Sequence, residues 1–222
     1  SKNIIGIYKY LGFRTGKLDH FAAFNSKCKN FKISKPPKKI KPILINNEFE
    51  YRECFSINAS QINLDSSNML TQKTPKKSID FLINRYEKHP YFKYKFFEAY
   101  ESKHLMGLVI SREVELGFSK ALRIIEVFGE EKDITSIVNN FAVILLESDY
   151  EYIDIYASGV DKKEMLTGSY EYISKDKQIV VPDYFDPFEK KNIDILYMTS
   201  IEEDVFLFKG DGDQDRPTRK II

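Results

Sequence analysis

The sequence has no tryptophan, only two cysteines and only three histidines among its 222 residues. The two cysteines, Cys28 and Cys54, are too few for a disulfide framework, and their spacing fits no zinc-ligand set. We therefore predict that both are reduced thiols, which favours a cytoplasmic protein.

An excess of charge of one sign and long hydrophobic runs are also lacking. Lysine and arginine together number 34 against 33 for aspartate and glutamate, which leaves a net charge of +1. Nucleic-acid binders usually carry a clear excess of positive charge, so we predict no nucleic-acid partner. No apolar run approaches the roughly 20 residues of a membrane-spanning helix, and no signal peptide opens the chain. We therefore predict no transmembrane segment.

What the sequence does contain is a central strand–helix–strand pattern. Residues 121–128 form a short apolar run rich in β-branched residues, which predicts a buried strand that ends at Gly129. Asp133 is the predicted N-cap of a helix over residues 134–147, in which apolar residues recur at helical spacing. A second strand is predicted over residues 152–156. The simplest arrangement is a parallel pair of strands joined by a right-handed crossover.

Other strand-like runs surround this unit. Residues 93–100, 105–114 and 121–128 are separated by short turns, which predicts an antiparallel meander. An amphipathic helix is predicted over residues 75–86, before the meander. Together these elements predict an α/β (α+β) fold with a mixed, mostly antiparallel sheet and helices on both faces.

The N-terminal residues 1–25 have a different character. Their pattern predicts a helix that ends at Gly12, followed by a hairpin with its turn at Thr15–Gly16. Such a unit cannot bury its own apolar face, so it must pack on the rest of the chain, on a second copy, or on a missing N-terminal domain. Residues 26–42, rich in lysine and proline, predict a solvated and semi-rigid linker. The alternative is that its lysines bind phosphate or an acidic membrane.

A family resemblance rests on this order of elements and on one local motif. Tyr8 to Phe13 has the form Tyr-x-x-x-Gly-Phe, and it resembles the segment that closes the last helix of a GNAT domain before its final hairpin. GNAT denotes the superfamily with the acyl-CoA N-acyltransferase fold. Residues 1–25 thus resemble the tail of a first GNAT-like domain, and residues 43–222 resemble a second one. The whole chain resembles the C-terminal part of tandem GNAT-like proteins of bacterial surface-polysaccharide biosynthesis.

The resemblance implies acetyl-CoA or another acyl-CoA as cofactor, and it implies where the cofactor binds. In the superfamily the pyrophosphate lies at the N-terminus of the central helix, held by backbone N–H groups and the helix dipole. Here the corresponding residues would be Gly129, Lys132 and Ile134. The acidic residues Glu130, Glu131 and Asp133 occupy the same stretch, so we predict weak or absent binding in this mode.

The resemblance also implies catalytic residues. Tyr8 would act as general acid toward the leaving thiolate, unless it only packs its ring. His89 lies after the helix that borders the acceptor cleft in the family. It could be a general base near neutral pH, or it could simply cap the end of that helix.

Two further groups are candidate substrate ligands. On the strand over residues 152–156, Tyr152, Asp154 and Tyr156 share one face, which in the family lines the cleft and suits sugar recognition. The alternative is a polar face covered by a helix. Asp215 and Arg216 lie in an acidic C-terminal loop and could pair with the body or hold a phosphate or carboxylate. We predict no metal site there, because the loop lacks the later residues of a calcium-binding pattern.

Three functions therefore follow from the sequence. The first is transfer of an acyl group from acyl-CoA to a sugar or nucleotide-sugar precursor. The second is a catalytically silent GNAT-fold module that binds a glycan or scaffolds a partner. The third is aminoacyl transfer from charged tRNA, which the near-neutral charge disfavours.

Overall fold

The fold is seen in a computed structural model that describes residues 2–57, 77–175, 178–185, 187–200 and 205–212. The strands in chain order are β1 (Arg14–Lys17), β2 (Asp19–Phe24), β3 (Phe49–Cys54), β4 (Tyr94–Glu101), β5 (His104–Leu116), β6 (Ser119–Gly129), β7 (Tyr150–Ser158), β8 (Glu171–Ile173), β9 (Leu196–Thr199) and β10 (Leu207–Phe208). The α-helices are α1 (Lys2–Tyr10), α2 (Ile79–Leu82), α3 (Glu131–Phe141) and α4 (Lys162–Thr167). Shorter helical turns cover Ile83–Glu87, Ala142–Leu146 and Lys209–Asp211.

The main sheet has eight strands, and its continuous order is β3-β4-β5-β6-β7-β2-β8, with β10 paired to β7. All of its strand pairs are antiparallel except β6–β7, which is parallel. Successive side chains of a strand point to opposite faces, so each face has its own core. On one face Ile137 and Phe141 of α3 pack with Val109 of β5, and on the other Leu82 of α2 packs with Leu108. The predicted mixed, mostly antiparallel sheet with helices on both faces is confirmed.

The central strand–helix–strand unit forms as predicted, with a shifted helix start. Strands β6 and β7 are parallel, and α3 connects them. The predicted N-cap at Asp133 is wrong, because the backbone N–H of Asp133 already donates to the Glu130 carbonyl oxygen at 2.9 Å. Glu130 is the N-cap and makes no side-chain capping hydrogen bond.

The predicted N-terminal hairpin is wrong. Strand β1 pairs with β9 in a separate two-stranded ribbon, and β2 lies in the main sheet between β7 and β8. Only Leu18 separates β1 from β2, and a hairpin turn needs at least about two residues between its strands. The chain therefore runs straight from one sheet into the other, so β2 packs against the strands of its own chain.

The predicted solvated linker is also wrong over part of its length. Ile33 and Ser34 are buried, and Lys35 exchanges two backbone hydrogen bonds with Val180 at 2.8 and 2.9 Å. Further along, the Lys41 ammonium donates to the carbonyl oxygens of Leu166 and Tyr170 at 2.9 and 2.7 Å. This segment is therefore attached to α4 and β8 rather than surrounded by water.

The structure also bears on the state of the two cysteines and on membrane-spanning helices. Both Cys28 and Cys54 are free thiols. No helix within the described residues is long and apolar enough to cross a membrane.

Candidate functional site

The candidate site is the opening where β6 and β7 separate. Their parallel register runs from Lys120 opposite Tyr150 to Ile124 opposite Ile155, and beyond this point the two strands no longer pair with each other. Strand β10 pairs with Ala157 and Ser158 of β7. The other edge of β7 at Ala157 is taken by β2, so β10 lies on the side of β6. Residues 205–212, here called the cleft segment, therefore occupy the opening.

On the β6 side, a buried cluster of polar side chains anchors the cleft segment. The Lys77 ammonium bridges Asp211, at 2.6 Å, and Glu126 of β6. The Tyr86 hydroxyl donates to the same Glu126 carboxylate, which is 2% exposed. Burial is the largest influence on Lys77 and holds its pKa below the usual value, although the Asp211 carboxylate raises it. We call these four residues the β6-side network.

Backbone geometry reinforces this anchor. A Cβ at Gly210 would lie only 3.0 Å from a Glu126 carboxylate oxygen and 3.1 Å from the Ile125 carbonyl oxygen, so a side chain here would push the cleft segment away from β6. The Asp211 carboxylate accepts the backbone N–H of Phe208 at 2.7 Å. Arg85 donates to the Gly212 carbonyl oxygen at 2.8 Å.

On the β7 side, a second buried network reaches the cleft segment through Lys209. Arg123 of β6 donates to Asp154 of β7 at 2.8 Å and to the Asp183 carboxylate at 2.9 Å. The Lys209 ammonium binds Asp183, and His20 of β2 lies 2.9 Å from Asp154. Arg123 and Asp154 are fully buried. We call these five residues the β7-side network.

Electrostatics fix the protonation states in this network. Burial alone would raise the pKa of the Asp154 carboxyl, but Arg123 and His20 hold it below its usual value. Burial lowers the pKa of His20, and the hydrogen bond to Asp154 offsets only part of this effect. At neutral pH Asp154 is therefore an ionised carboxylate and His20 a neutral imidazole.

The neutral state of His20 predicts a dependence of stability on pH. As the pH falls below about 6.5, an unfolded histidine takes up a proton that buried His20 does not, so the free energy of unfolding should decrease. The variant His20→Gln should lose part of this decrease, whereas His104→Gln, on the exposed side of β5, should retain it. Urea unfolding at about pH 7 and about pH 5.5 measures the difference. Identical pH dependence of the free energy of unfolding in wild type and His20→Gln would contradict a buried, neutral His20.

The predicted sugar-recognition face on β7 does not form an accessible surface. Tyr152, Asp154 and Tyr156 are all 0% exposed. Tyr156 stacks on the His20 ring with centroids 3.8 Å apart, and Asp154 is bound within the β7-side network. Ile33, Val181 and Ile195 are among the residues that cover these side chains, so the face is polar but enclosed.

The three predicted cofactor-binding residues lie at or near the N-terminus of α3. Lys132 is exposed and pairs with Glu130 at 3.0 Å. Ile134 is buried, and its N–H donates to the Glu130 carbonyl oxygen at 3.2 Å. A Cβ at Gly129 would lie 3.0 Å from both Ile137 and the Met106 carbonyl oxygen, so packing of β6 against α3 and β5 accounts for this glycine. Burial raises the pKa of Asp133, which Lys132 partly opposes.

The structure does not bring the two predicted catalytic residues into either network. Tyr8 lies on α1, where its ring meets Phe13 edge-on with centroids 6.0 Å apart. His89 accepts the backbone N–H groups of Tyr91 and Phe92 through Nδ1 at 3.2 and 3.0 Å. His89 therefore holds the loop that follows the helical turn Ile83–Glu87. Asp215 and Arg216 lie outside the described residues.

Sequence reasoning missed most members of both networks. The sequence feature that could have indicated them is a charged residue inside an otherwise apolar strand. Arg123 and Glu126 both interrupt the apolar run of β6. Such residues are rarely buried without a partner. Their partners Asp183 and Lys77 are distant in the sequence, so the pairing could not be read from spacing.

A cavity adjoins the cleft segment. It has a volume of about 400 Å³ and lies between the β1–β9 ribbon and residues 207–212. Leu196 and Met198 of β9 line one wall, and Phe208, Lys209 and Asp211 line the other.

Comparison with known proteins identifies a distant structural neighbour. No protein-family model and no curated protein matches the chain. Among solved structures, a GCN5-related N-acetyltransferase from Sphaerobacter thermophilus is similar, with 8% sequence identity and a TM-score of 0.41. The similarity covers 78% of this chain and 54% of that structure, so the chain spans about half the length of this neighbour.

Proposed function

We propose that this chain is a GNAT-like unit that takes part in transfer of an acyl group from acyl-CoA to a sugar or nucleotide-sugar precursor. The supporting observation is the separation of the parallel strands β6 and β7 beyond Ile124 and Ile155, beside the N-terminus of α3. In the superfamily that the sequence resembles, this strand splays from its neighbour and lines the cleft, and the pyrophosphate of the acyl donor binds at the N-terminus of the central helix. The acceptor amine or hydroxyl attacks the thioester carbonyl, the carbon–sulfur bond breaks, and the proton of the acceptor goes to the leaving thiolate.

The cleft segment stands in the way of a donor in the described state. For acyl-CoA to enter between β6 and β7, Lys209 and Asp211 must leave their partners in the two networks. The N-terminus of α3 adds a second obstacle, because Glu130, Glu131 and Asp133 precede or form its first turn. A like-charge contact at ~4 Å costs about 1 to 4 kcal/mol in this setting. We therefore expect the closed state to bind acyl-CoA poorly.

The same closure favours a second candidate function. If the cleft segment never leaves the opening, the chain is a catalytically silent GNAT-fold module for glycan binding or scaffolding. Anchoring through buried charges on both sides of the opening supports this alternative, since a replaceable lid would not need them. Several expectations from the sequence stay predictions. They are the roles of Tyr8 as general acid and His89 as general base, the division into domains, and a tandem partner on residues 1–25.

Calorimetric titration with acetyl-CoA separates the two functions. Wild type should show no micromolar binding. The variant Asp211→Asn weakens the hold of Lys77 on the cleft segment, and if the opening is a donor site this variant should bind acetyl-CoA at least about tenfold more tightly than wild type. The control Asp149→Asn changes an exposed carboxylate next to β7 and should behave as wild type.

The outcomes of the acetyl-CoA titration test both the closed cleft and the choice between the two proposed functions. Micromolar binding by wild type would contradict the closed cleft. No binding by a correctly folded Asp211→Asn variant would contradict the acyltransfer proposal and favour the silent module. Hydrogen exchange of residues 205–212 in Asp211→Asn shows whether the cleft segment has in fact loosened.

A further inference from the structure

The segment of residues 26–42 concentrates positive charge. It contains seven lysines, no arginine and no acidic residue. The whole chain has 34 basic and 33 acidic residues, so the remainder of the chain carries an excess of negative charge. Salt at physiological concentration screens charges beyond about 8 Å, so distant acidic residues do not cancel these lysines. The segment is therefore a local positive surface on a chain of nearly zero net charge.

The inner side of this segment is fixed against the body of the fold. Phe31, Ile33 and Ile40 pack in one apolar cluster with residues of β2, β7 and β8. The Glu151 carboxylate accepts the backbone N–H groups of three consecutive residues, 32–34. These contacts hold the backbone in place and direct its apolar side chains to the core.

The outer side of the segment presents lysines to solvent. Five of them have exposed side chains, namely Lys29, Lys32, Lys35, Lys38 and Lys39. Among the described residues, none of these five forms an ion pair with a carboxylate. The exposed Lys190 joins them, because its ammonium donates to the Lys32 carbonyl oxygen at 2.8 Å. We call these six residues the lysine strip.

The dimensions of the lysine strip suit an extended partner. Its five lysines in the segment lie within eleven consecutive residues, which span at most about 35 Å. Because the apolar side chains between them point to the core, the lysines point away from it. A single small anion could contact only a few of these ammonium groups at once, whereas a charged surface could contact most of them.

The side-chain chemistry favours a lipid surface over a nucleic acid. Arginine is preferred where phosphate is held bidentately, whereas lysine is a flexible point charge. Sites for single-stranded nucleic acids also offer aromatic rings on which bases stack. The aromatic residues near the strip do not do so, because Phe31, Phe185 and Phe188 pack against the apolar cluster. A layer of anionic headgroups requires only clustered positive charge, typically about four to eight basic residues.

We propose that the lysine strip docks this chain on the surface of a membrane that contains anionic phospholipids. The ammonium groups contact the headgroups and do not enter the hydrocarbon core. Each lysine near such a surface strengthens binding by about fivefold, and added salt weakens it. No residue of the strip belongs to the β6-side or the β7-side network, so this proposal is independent of the proposed function.

Cosedimentation of the full 222-residue chain with phospholipid vesicles tests the docking. Wild type should bind vesicles made of equal parts phosphatidylcholine and phosphatidylserine, and it should not bind vesicles of pure phosphatidylcholine. The double variant Lys38→Gln/Lys39→Gln removes two charges of the strip and should bind at least about tenfold more weakly. The matched control Lys9→Gln/Lys88→Gln removes two exposed lysines outside the strip and should bind as wild type does.

Several outcomes would overturn the proposal. They are no binding to the phosphatidylserine vesicles at low ionic strength, equal binding to both kinds of vesicle, and a loss of binding that is the same in the double variant and its control. Circular dichroism checks that both variants are folded. Release from the vesicles by inorganic phosphate, but not by sodium chloride of the same ionic strength, would indicate a discrete phosphate site instead. Tighter binding to a single-stranded RNA than to the vesicles would indicate a nucleic-acid site.

Discussion

Replacing Arg123 with methionine is expected to lower the free energy of unfolding by about 3 to 5 kcal/mol. Arg123 is fully buried and donates to two carboxylates, Asp154 and Asp183. It also donates to the Pro182 carbonyl oxygen at 2.6 Å. Without the guanidinium, the carboxylates remain in an enclosed site, where, among the described residues, Asp183 keeps its ion pair with Lys209 and Asp154 keeps His20. Methionine keeps much of the volume, so the loss reports on the charge rather than on a cavity.

Urea unfolding followed by circular dichroism measures this loss. The matched control is Arg52→Met, because Arg52 binds Glu50 at 2.7 Å in a pair whose side chains are about half exposed. An exposed pair contributes about 0 to 1 kcal/mol, so the control should change little. If Arg123→Met cost no more than Arg52→Met, the β7-side network would not be a stabilising feature of the fold.

Replacing Glu151 with alanine is expected to cost about 2 to 6 kcal/mol, because two buried N–H donors would each lose an acceptor worth about 1 to 3 kcal/mol. Glu151 of β7 is 2% exposed. Its carboxylate accepts the backbone N–H groups of Ile33 and Ser34, each at 3.0 Å. It also accepts the N–H of Lys32 at 2.6 Å and the Ser34 hydroxyl at 3.1 Å. One side chain thus fixes the segment that the sequence predicted to be a solvated linker.

Two measurements define the effect of Glu151→Ala. Thermal unfolding gives its size, and amide hydrogen exchange should speed up first at Ile33 and Ser34. Glu147→Ala is the control, since Glu147 precedes β7 and is exposed. Unchanged exchange at Ile33 and Ser34 in the Glu151 variant would show that other contacts hold the segment in place.

Arg123→Met and Glu151→Ala both test the contacts that cover buried carboxylates of β7. Asp154 and Glu151 are carboxylates on this strand, and each is satisfied by groups far away in sequence. The cleft segment completes the closure, because Lys209 joins Asp183 while Asp211 joins Lys77. The donor site that the resemblance implies would have to be opened against these contacts. The acetyl-CoA titration therefore tests a structural feature as well as a function.

Local periodicity predicted much of the fold correctly. The apolar run at residues 121–128 and the helical spacing after it led to the parallel pair β6–β7 and to α3. The turn at Ser102 and Lys103, residues with positive φ of 49° and 70°, connects β4 and β5 in the predicted meander. These features depend on residues close in sequence, where spacing and turn chemistry act directly.

The sequence by itself determined the classes of element, the parallel crossover and the acidic N-terminus of α3, because these are local properties of the chain. The tertiary structure alone decided three other features. Leu18 continues one strand into the next sheet instead of closing a hairpin, the face of Tyr152 and Tyr156 is enclosed, and the cleft segment fills the opening beside β6. Each depends on pairing between residues that are distant in the sequence, such as His20 with Asp154 and Phe208 with Ala157. A polar strand face has the same sequence pattern whether it meets water or buried partners, and only the folded chain supplies the partners.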